Sequence, residues 1–160
     1  MTNLNELIIP AARQGEIEVL QELILRNADV NYCDLKGYTP LIIACYNNQI
    51  EAAKLLIAAN ANLNAADEGE NTALMGVSFK GYTSIAELLI KHGADLDLQH
   101  GNGGTALMFA AMFGRNEILK LLLESGANKN IRDNKGQDAM ELAALQGNEA
   151  GLRLLQASGY

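Results

Sequence analysis

Residues 34–66 read DLKGYTPLIIACYNNQIEAAKLLIAANANLNAA, and most of the 160-residue chain is this stretch over again. A shift of 33 residues lays Thr39-Pro40-Leu41 on Thr72-Ala73-Leu74 and on Thr105-Ala106-Leu107. The same shift carries Leu23 onto Leu56, Leu89, Leu122 and Leu155, and Ala28 onto Ala61, Ala94 and Ala127, without insertion or deletion. Self-similarity at a fixed period marks a stacked architecture, in which each unit buries its apolar face against its neighbours.

Two register columns fix the content of one unit. One reads Gly15, Asn48, Gly81, Gly114, Gly147; the other reads Asn27, Asn60, Gly93, Gly126, Gly159. Gly and Asn tolerate positive φ, so each column predicts a helix end in the left-handed region. Two ends per unit mean two short helices. Thr39, Thr72 and Thr105 are the N-caps expected of the first helix, and Pro40 suits its first position, where no donor is needed. Ile50, Ala53, Leu56 and Ile57 recur at helical spacing and predict the apolar stripe of the second. The segment joining one unit to the next is short and polar with a glycine (Gly37, Gly103, Gly136), which suits a hairpin-like turn.

The period, together with TPLIIA (39–44), TALMGV (72–77) and TALMFA (105–110), resembles the ankyrin repeat, whose signature is T-P-L-H-x-A. The tails NADVN (27–31), NANLN (60–64), GADLD (93–97) and GANKN (126–130) are similar to that family's Gly-Ala-Asp-Val-Asn segment. The resemblance spans the chain. It implies an all-α solenoid of helix-turn-helix units joined by short β-hairpin-like turns, in a single domain over 1–160. The repeats fall at about 1–33, 34–66, 67–99, 100–132 and 133–160.

Departures from the pattern carry their own expectations. Repeat 1 lacks the TPL motif and has Pro10 inside the window Leu4–Gln14, so a kinked first helix or a separate turn at Asn5–Ile9 is expected. In repeat 3 the glycine is Gly69, and Glu70 stands in the column of Gly37 and Gly103, which predicts a differently shaped tip; Gly76 weakens the first helix there by about 1 kcal/mol against Ala. In repeat 5 Asp138 replaces the N-cap threonine, and Glu149, Arg153 and Gln156 give the second helix a polar outer face. Both terminal units read as caps, and a complete protein is expected. Where the family has histidine, this chain has Ile42, Met75, Met108 and Glu141. Lys129 stands in the column of Val30, Leu63 and Leu96, so it must snorkel or find a partner.

A net charge of −7 argues against a nucleic-acid footprint, which needs a basic face. Cys33 and Cys45 are too few for a disulfide framework and are expected as small buried or half-buried thiols in a reducing compartment. No basic-then-apolar leader and no membrane-length apolar run appear, so a cytoplasmic location is expected, with leaderless export left open. Catalytic constellations are missing. His92 and His100 lack the carboxylate or thiolate spacing of a metal site. Gly101-Asn102-Gly103-Gly104 occupies the turn slot and carries no P-loop lysine. Cys45 reads as a packed thiol. No enzyme, cofactor, metal or small-molecule substrate is expected.

The resemblance implies contacts from the turn tips and from the exposed ends of first helices. The tip positions are Leu35, Lys36, Tyr38, Glu68, Glu70, Asn71 and Asn102, continued by Asn134, Lys135 and Gln137. The helix-end positions are Tyr46, Asn47, Phe79, Lys80, Met112 and Phe113, flanked by Arg13, Gln14, Leu145 and Gln146. Helix ends on an open face are polar when idle, yet four of these are Tyr46, Phe79, Met112 and Phe113. Clustered aromatics and methionine mark a binding patch, against the alternative of packing on neighbouring repeats. The expected function is a non-catalytic module, monomeric on its own, that binds a partner protein on its concave face as inhibitor, adaptor or chaperone. Two alternatives remain: a self-associating structural protein, and a substrate of an asparagine hydroxylase at Asn31.

Overall fold

A computed structural model describes residues 3–158. Among these residues all regular secondary structure is helical, and the helices come in pairs. The chain divides between Ala73 and Leu74 into two compact units.

The first unit holds α1 (Leu4–Gln14), α2 (Ile17–Leu25), α3 (Pro40–Tyr46) and α4 (Ile50–Ala58). Within it α1 packs on α2 and α3, and α4 packs on α3 and α2, so that first helices stack on first helices and second on second. α5 (Ala73–Lys80) begins at the division. The second unit continues with α6 (Thr83–Lys91), α7 (Ala106–Met112), α8 (Asn116–Glu124), α9 (Ala139–Leu145) and α10 (Glu149–Ala157). There α7 packs on α9 and α8, and α8 packs on α6 and α10.

Both helix-stop columns take the conformation their composition predicts. Gly15, Asn48, Gly81, Gly114 and Gly147 lie at φ between 58° and 84°, and Asn27, Asn60, Gly93 and Gly126 between 63° and 96°. Gly159 lies outside the described residues. The chain reversal at each second stop is closed by the next residue: the amides of Ala28, Ala61, Ala94 and Ala127 donate to Leu23, Leu56, Leu89 and Leu122. One turn motif thereby explains the alanine column and the leucine column together. Leu56, Leu89, Leu122 and Leu155 are fully buried; each contributes about 1.5–3 kcal/mol of apolar burial. At the start of first helices, Thr39 Oγ1 accepts from the Ile42 amide at 3.2 Å and Thr105 Oγ1 from the Met108 amide at 3.3 Å. Asp138 does the same for Glu141, whose carboxylate returns to the Asp138 amide in a reciprocal capping box.

Three expectations change. Of the two alternatives at Pro10, the separate turn at Asn5–Ile9 does not form: α1 runs as one helix from Leu4 to Gln14, with Pro10 exposed on its surface. The repeat 3 tip is not reshaped. Glu70 takes φ 64°, the conformation of Gly37 (78°) and Gly103 (86°), and the Glu70 amide donates to Asp67 O as the Gly37 amide does to Asp34 O. The turn is held by its leading residue: Asp34, Asp67 and Asp133 each accept two later amides on Oδ1, which over-determines the backbone at Glu70. Cys33 is exposed rather than half-buried, because it lies in the segment entering a turn and not on a helix face. Cys45 is buried as expected, and burial pushes its thiol up to about 12.

The joining turns are hairpin-like without being strands; among the described residues the β pairing is one isolated bridge, Ala66 with Thr72. Within each unit consecutive tips are tied backbone to backbone. The Glu68 amide donates to Lys36 O at 3.0 Å, and the Asn134 amide to Asn102 O at 3.0 Å. Lys129 finds its partners at the end of α10, donating to Leu155 O at 3.0 Å and Ser158 Oγ at 2.9 Å.

Candidate protein-binding surface

The first unit contributes turn tips and the end of α3. Leu35 heads its tip and is 96% exposed, with Lys36, Glu68 and Glu70 exposed beside it and Tyr38 and Asn71 half-buried. None of Lys36, Glu68 and Glu70 makes an ion pair among the described residues. Asn71 is committed to its own turn through Nδ2 to Asp67. Tyr46, the last residue of α3, is 43% exposed, and Asn47 after it donates Nδ2 to Ile43 O at 2.8 Å. Tyr46 therefore offers an aromatic face at a helix end, while Asn47 serves partly to close the helix.

In the second unit the sequence-predicted residues come together. The rings of Phe79 and Phe113 meet edge to face with centroids 4.7 Å apart. Such pairs contribute about 0.5–1.5 kcal/mol beyond area burial. Phe79 and Met112 are half-buried, and Phe113 remains 42% exposed. Arg115 Nε donates to Phe79 O at 3.0 Å, which ties the end of α5 to the turn after α7. Phe79 is thus half-buried against its neighbour, whereas Phe113 presents apolar surface to solvent. Leu145, in the column of Phe79 and Met112, is 65% exposed.

Below Phe113 lies a cleft of about 390 Å³, floored by Met108, Phe109, Met112 and Leu142 and rimmed by the tips of repeats 4 and 5. Sequence reasoning did not single out Phe109 or Leu142. Both stand in the column of Ile43, on the buried side of first helices, and their position after Met108 and Glu141 was the available signal. Asn102, exposed on the rim, was anticipated.

His100 is a turn residue. Its ring lies on Phe109 with centroids 5.0 Å apart, and its Nδ1 faces the Asn102 amide at 3.4 Å, in the slot where other repeats place an aspartate. His92 Nδ1 bonds to Leu88 O at 2.9 Å and closes α6. No group of three or more metal-ligating side chains occurs among the described residues. No described helix is long and apolar enough to cross a membrane. Asn31 is exposed, but its Oδ1 accepts the Asn62 amide at 2.8 Å, so the side chain is part of the tie between consecutive repeats.

No curated protein matches the chain. A family model described as "Ankyrin repeats (3 copies)" matches residues 8–100 and again 76–160. Repeats of that kind are generally protein–protein interaction modules without catalysis. With the 33-residue period, the paired helices and the left-handed stops in agreement, the chain belongs to the ankyrin-repeat family.

Proposed function

We propose that the protein is a single-domain, non-catalytic binding module that captures a partner protein on its concave face, through helix ends and turn tips. The observation that carries this reading is Phe113: a large aromatic, 42% exposed, braced edge-on by Phe79 above an apolar cleft. Rigid aromatics at the rim of a preformed cavity are the anchors from which interfaces draw most of their energy. In the second unit Met112 adds apolar surface and Lys80 and Asn102 are polar positions; in the first unit the assigned positions are Tyr46 and Tyr38 with Leu35, Lys36, Asn47, Glu68, Glu70 and Asn71. A protein of this kind works by occupying its partner, as inhibitor, adaptor or chaperone, in the cytoplasm.

The test is an affinity capture from the source cells with the wild-type chain and with a Phe79→Glu, Phe113→Glu variant, after equal melting of the two has been verified. A partner held by the wild type and lost by the folded variant supports the reading. A partner held equally by both refutes the assigned surface. A wild-type mass that rises with concentration, and reverts in the variant, would assign the same face to self-association.

A further inference from the structure

The polar groups around the second-unit cleft define what can enter it. Most cations of this unit are already engaged. Arg132 pairs with Glu141 at 3.3 Å and Asp138 at 3.7 Å, Lys120 with Glu124 at 3.9 Å, Lys129 with the end of α10, and Arg115 with Phe79 O. Lys135 differs. It is exposed on the cleft rim, and its ammonium has no ion pair or hydrogen bond among the described residues. The acid next to it is committed, since Asp133 Oδ1 accepts the amides of Lys135 and Gln137 at 2.9 Å each. The side-chain amides of Asn102 and Gln137 on the same rim are likewise without a protein partner, whereas Asn134 uses Nδ2 on Gly101 O at 3.1 Å.

An apolar floor is therefore ringed by one unpaired cation and two uncommitted amides, beside the turn-closing Asp133 carboxylate and the His100 ring, in a chain whose net charge is −7. We propose that this cleft is a socket for one large apolar side chain on an extended segment of the partner protein, with an Asp or Glu beside that side chain placed against Lys135. This rests on the binding role proposed above. Met108, Phe109, Met112, Phe113 and Leu142 receive the apolar side chain. Asn102 and Gln137 meet the segment's main chain, which exposes both donors and acceptors when extended. Lys135 selects the charge next to the anchor; a rim charge of this kind acts mainly on encounter and specificity. An acidic segment is otherwise disfavoured by the negative chain, which makes the preference diagnostic.

The experiment is selection of a phage-displayed library of random dodecapeptides on the immobilised full chain. The consensus peptide, fluorescein-labelled, is then titrated by anisotropy against the wild type, Lys135→Glu and Phe113→Glu, with unchanged thermal melts as the entry condition. The expected consensus places Phe, Leu, Met or Trp within two positions of Asp or Glu, with a Kd on the order of 1–100 µM. Phe113→Glu should weaken it by about tenfold or more. Lys135→Glu should weaken it about three- to tenfold, and a peptide with lysine in place of the acid should then prefer the variant. Apolar consensus peptides with basic or neutral flanks, or ones indifferent to Lys135→Glu, overturn the acidic preference. An absence of enrichment, or enrichment insensitive to Phe113→Glu, overturns the socket. The wider binding role is judged separately, by the capture experiment with the double variant.

Discussion

Replacing Glu70 by glycine should stabilise the protein, although the change deletes a side chain and adds no contact. Glu70 sits at φ 64°, where its Cβ crowds the neighbouring carbonyl, while the equivalent residues of the other described turns are Gly37, Gly103 and Gly136, at 76° to 86°, with His100 replacing only the leading aspartate. A non-glycine residue in that region costs about 1–2 kcal/mol. Glycine removes this cost but loses about 0.4–1 kcal/mol through the greater freedom of the unfolded chain. The net is a gain of about 0.5–1 kcal/mol, or roughly 2–3 °C in melting temperature for a chain of this size. Glu70 is also an exposed acid, so Glu70→Gln separates charge from backbone and should move stability by no more than about 0.3 kcal/mol. Gly37→Ala is the mirror experiment. Its new Cβ would meet Asp67 Cα and the Glu68 amide nitrogen at 3.0 Å, backbone that cannot step aside, so a loss of at least about 2 kcal/mol is expected. Urea unfolding followed by circular dichroism and by tyrosine fluorescence measures all three, coincidence of the two probes checking that the repeats unfold together. A destabilised Glu70→Gly, or one no better than Glu70→Gln, would show that the turn does not hold Glu70 under strain.

Three further outcomes are expected. The Cys45 thiol ordinarily ionises near 9.0 and is pushed by burial to about 12, so its stabilising effect is complete below pH 9 and is lost as pH rises from there towards 12; relative to Cys45→Ala, urea stability should fall by about 1 kcal/mol between pH 8 and pH 10, and parallel pH profiles would refute this. Ser78 Oγ is buried without a hydrogen-bond partner in a column otherwise filled by Cys45, Ala111 and Ala144, so Ser78→Ala should gain about 1 kcal/mol in thermal unfolding, and a loss would mean the hydroxyl is satisfied. Lys129→Met keeps the aliphatic stem but removes both bonds to the end of α10, so hydrogen exchange should speed up several-fold in its last turn while α7 and α8 are unchanged; uniform exchange would refute a local capping role.

Much of the fold was legible because a repeat turns each structural demand into a column. A single glycine is ambiguous, but Gly15, Asn48, Gly81, Gly114 and Gly147 share one property, tolerance of positive φ, and the backbone uses it at every one. Glu70 was misread for the complementary reason. Glutamate carries no intrinsic preference for that conformation, and the force holding it there is the side chain of Asp67, three residues earlier. Pro10 did not mark a separate turn: it sits inside α1 with its ring on an exposed face, and the helix continues past it to Gln14. At the candidate surface, register placed Phe113 at an exposed helix end and Met112 half-buried beside it. It could not reveal that the Phe79 ring meets Phe113 edge to face, because that depends on how far one helix end reaches towards the next.

The same columns separate what the fold requires from what it leaves free. Leu56, Leu89, Leu122 and Leu155 are alike because a fully buried site admits one shape. Tip positions Leu35, Glu68, Gly101 and Asn134 share no chemistry, as expected at exposed positions where turn geometry is set by neighbouring residues. The column of Tyr46, Phe79, Met112 and Leu145 fits neither description. Its members differ in shape, so no common packing slot selects them, yet all four are apolar, and Tyr46 and Leu145 are substantially exposed. Arg13, the repeat 1 member, shows that the position accepts a charge. Apolar side chains kept at a position that tolerates charge reduce solubility without completing a core, and that expense is offset when another surface covers them. Variety of shape with constancy of polarity is what contact with an irregular protein surface asks for, one residue at a time.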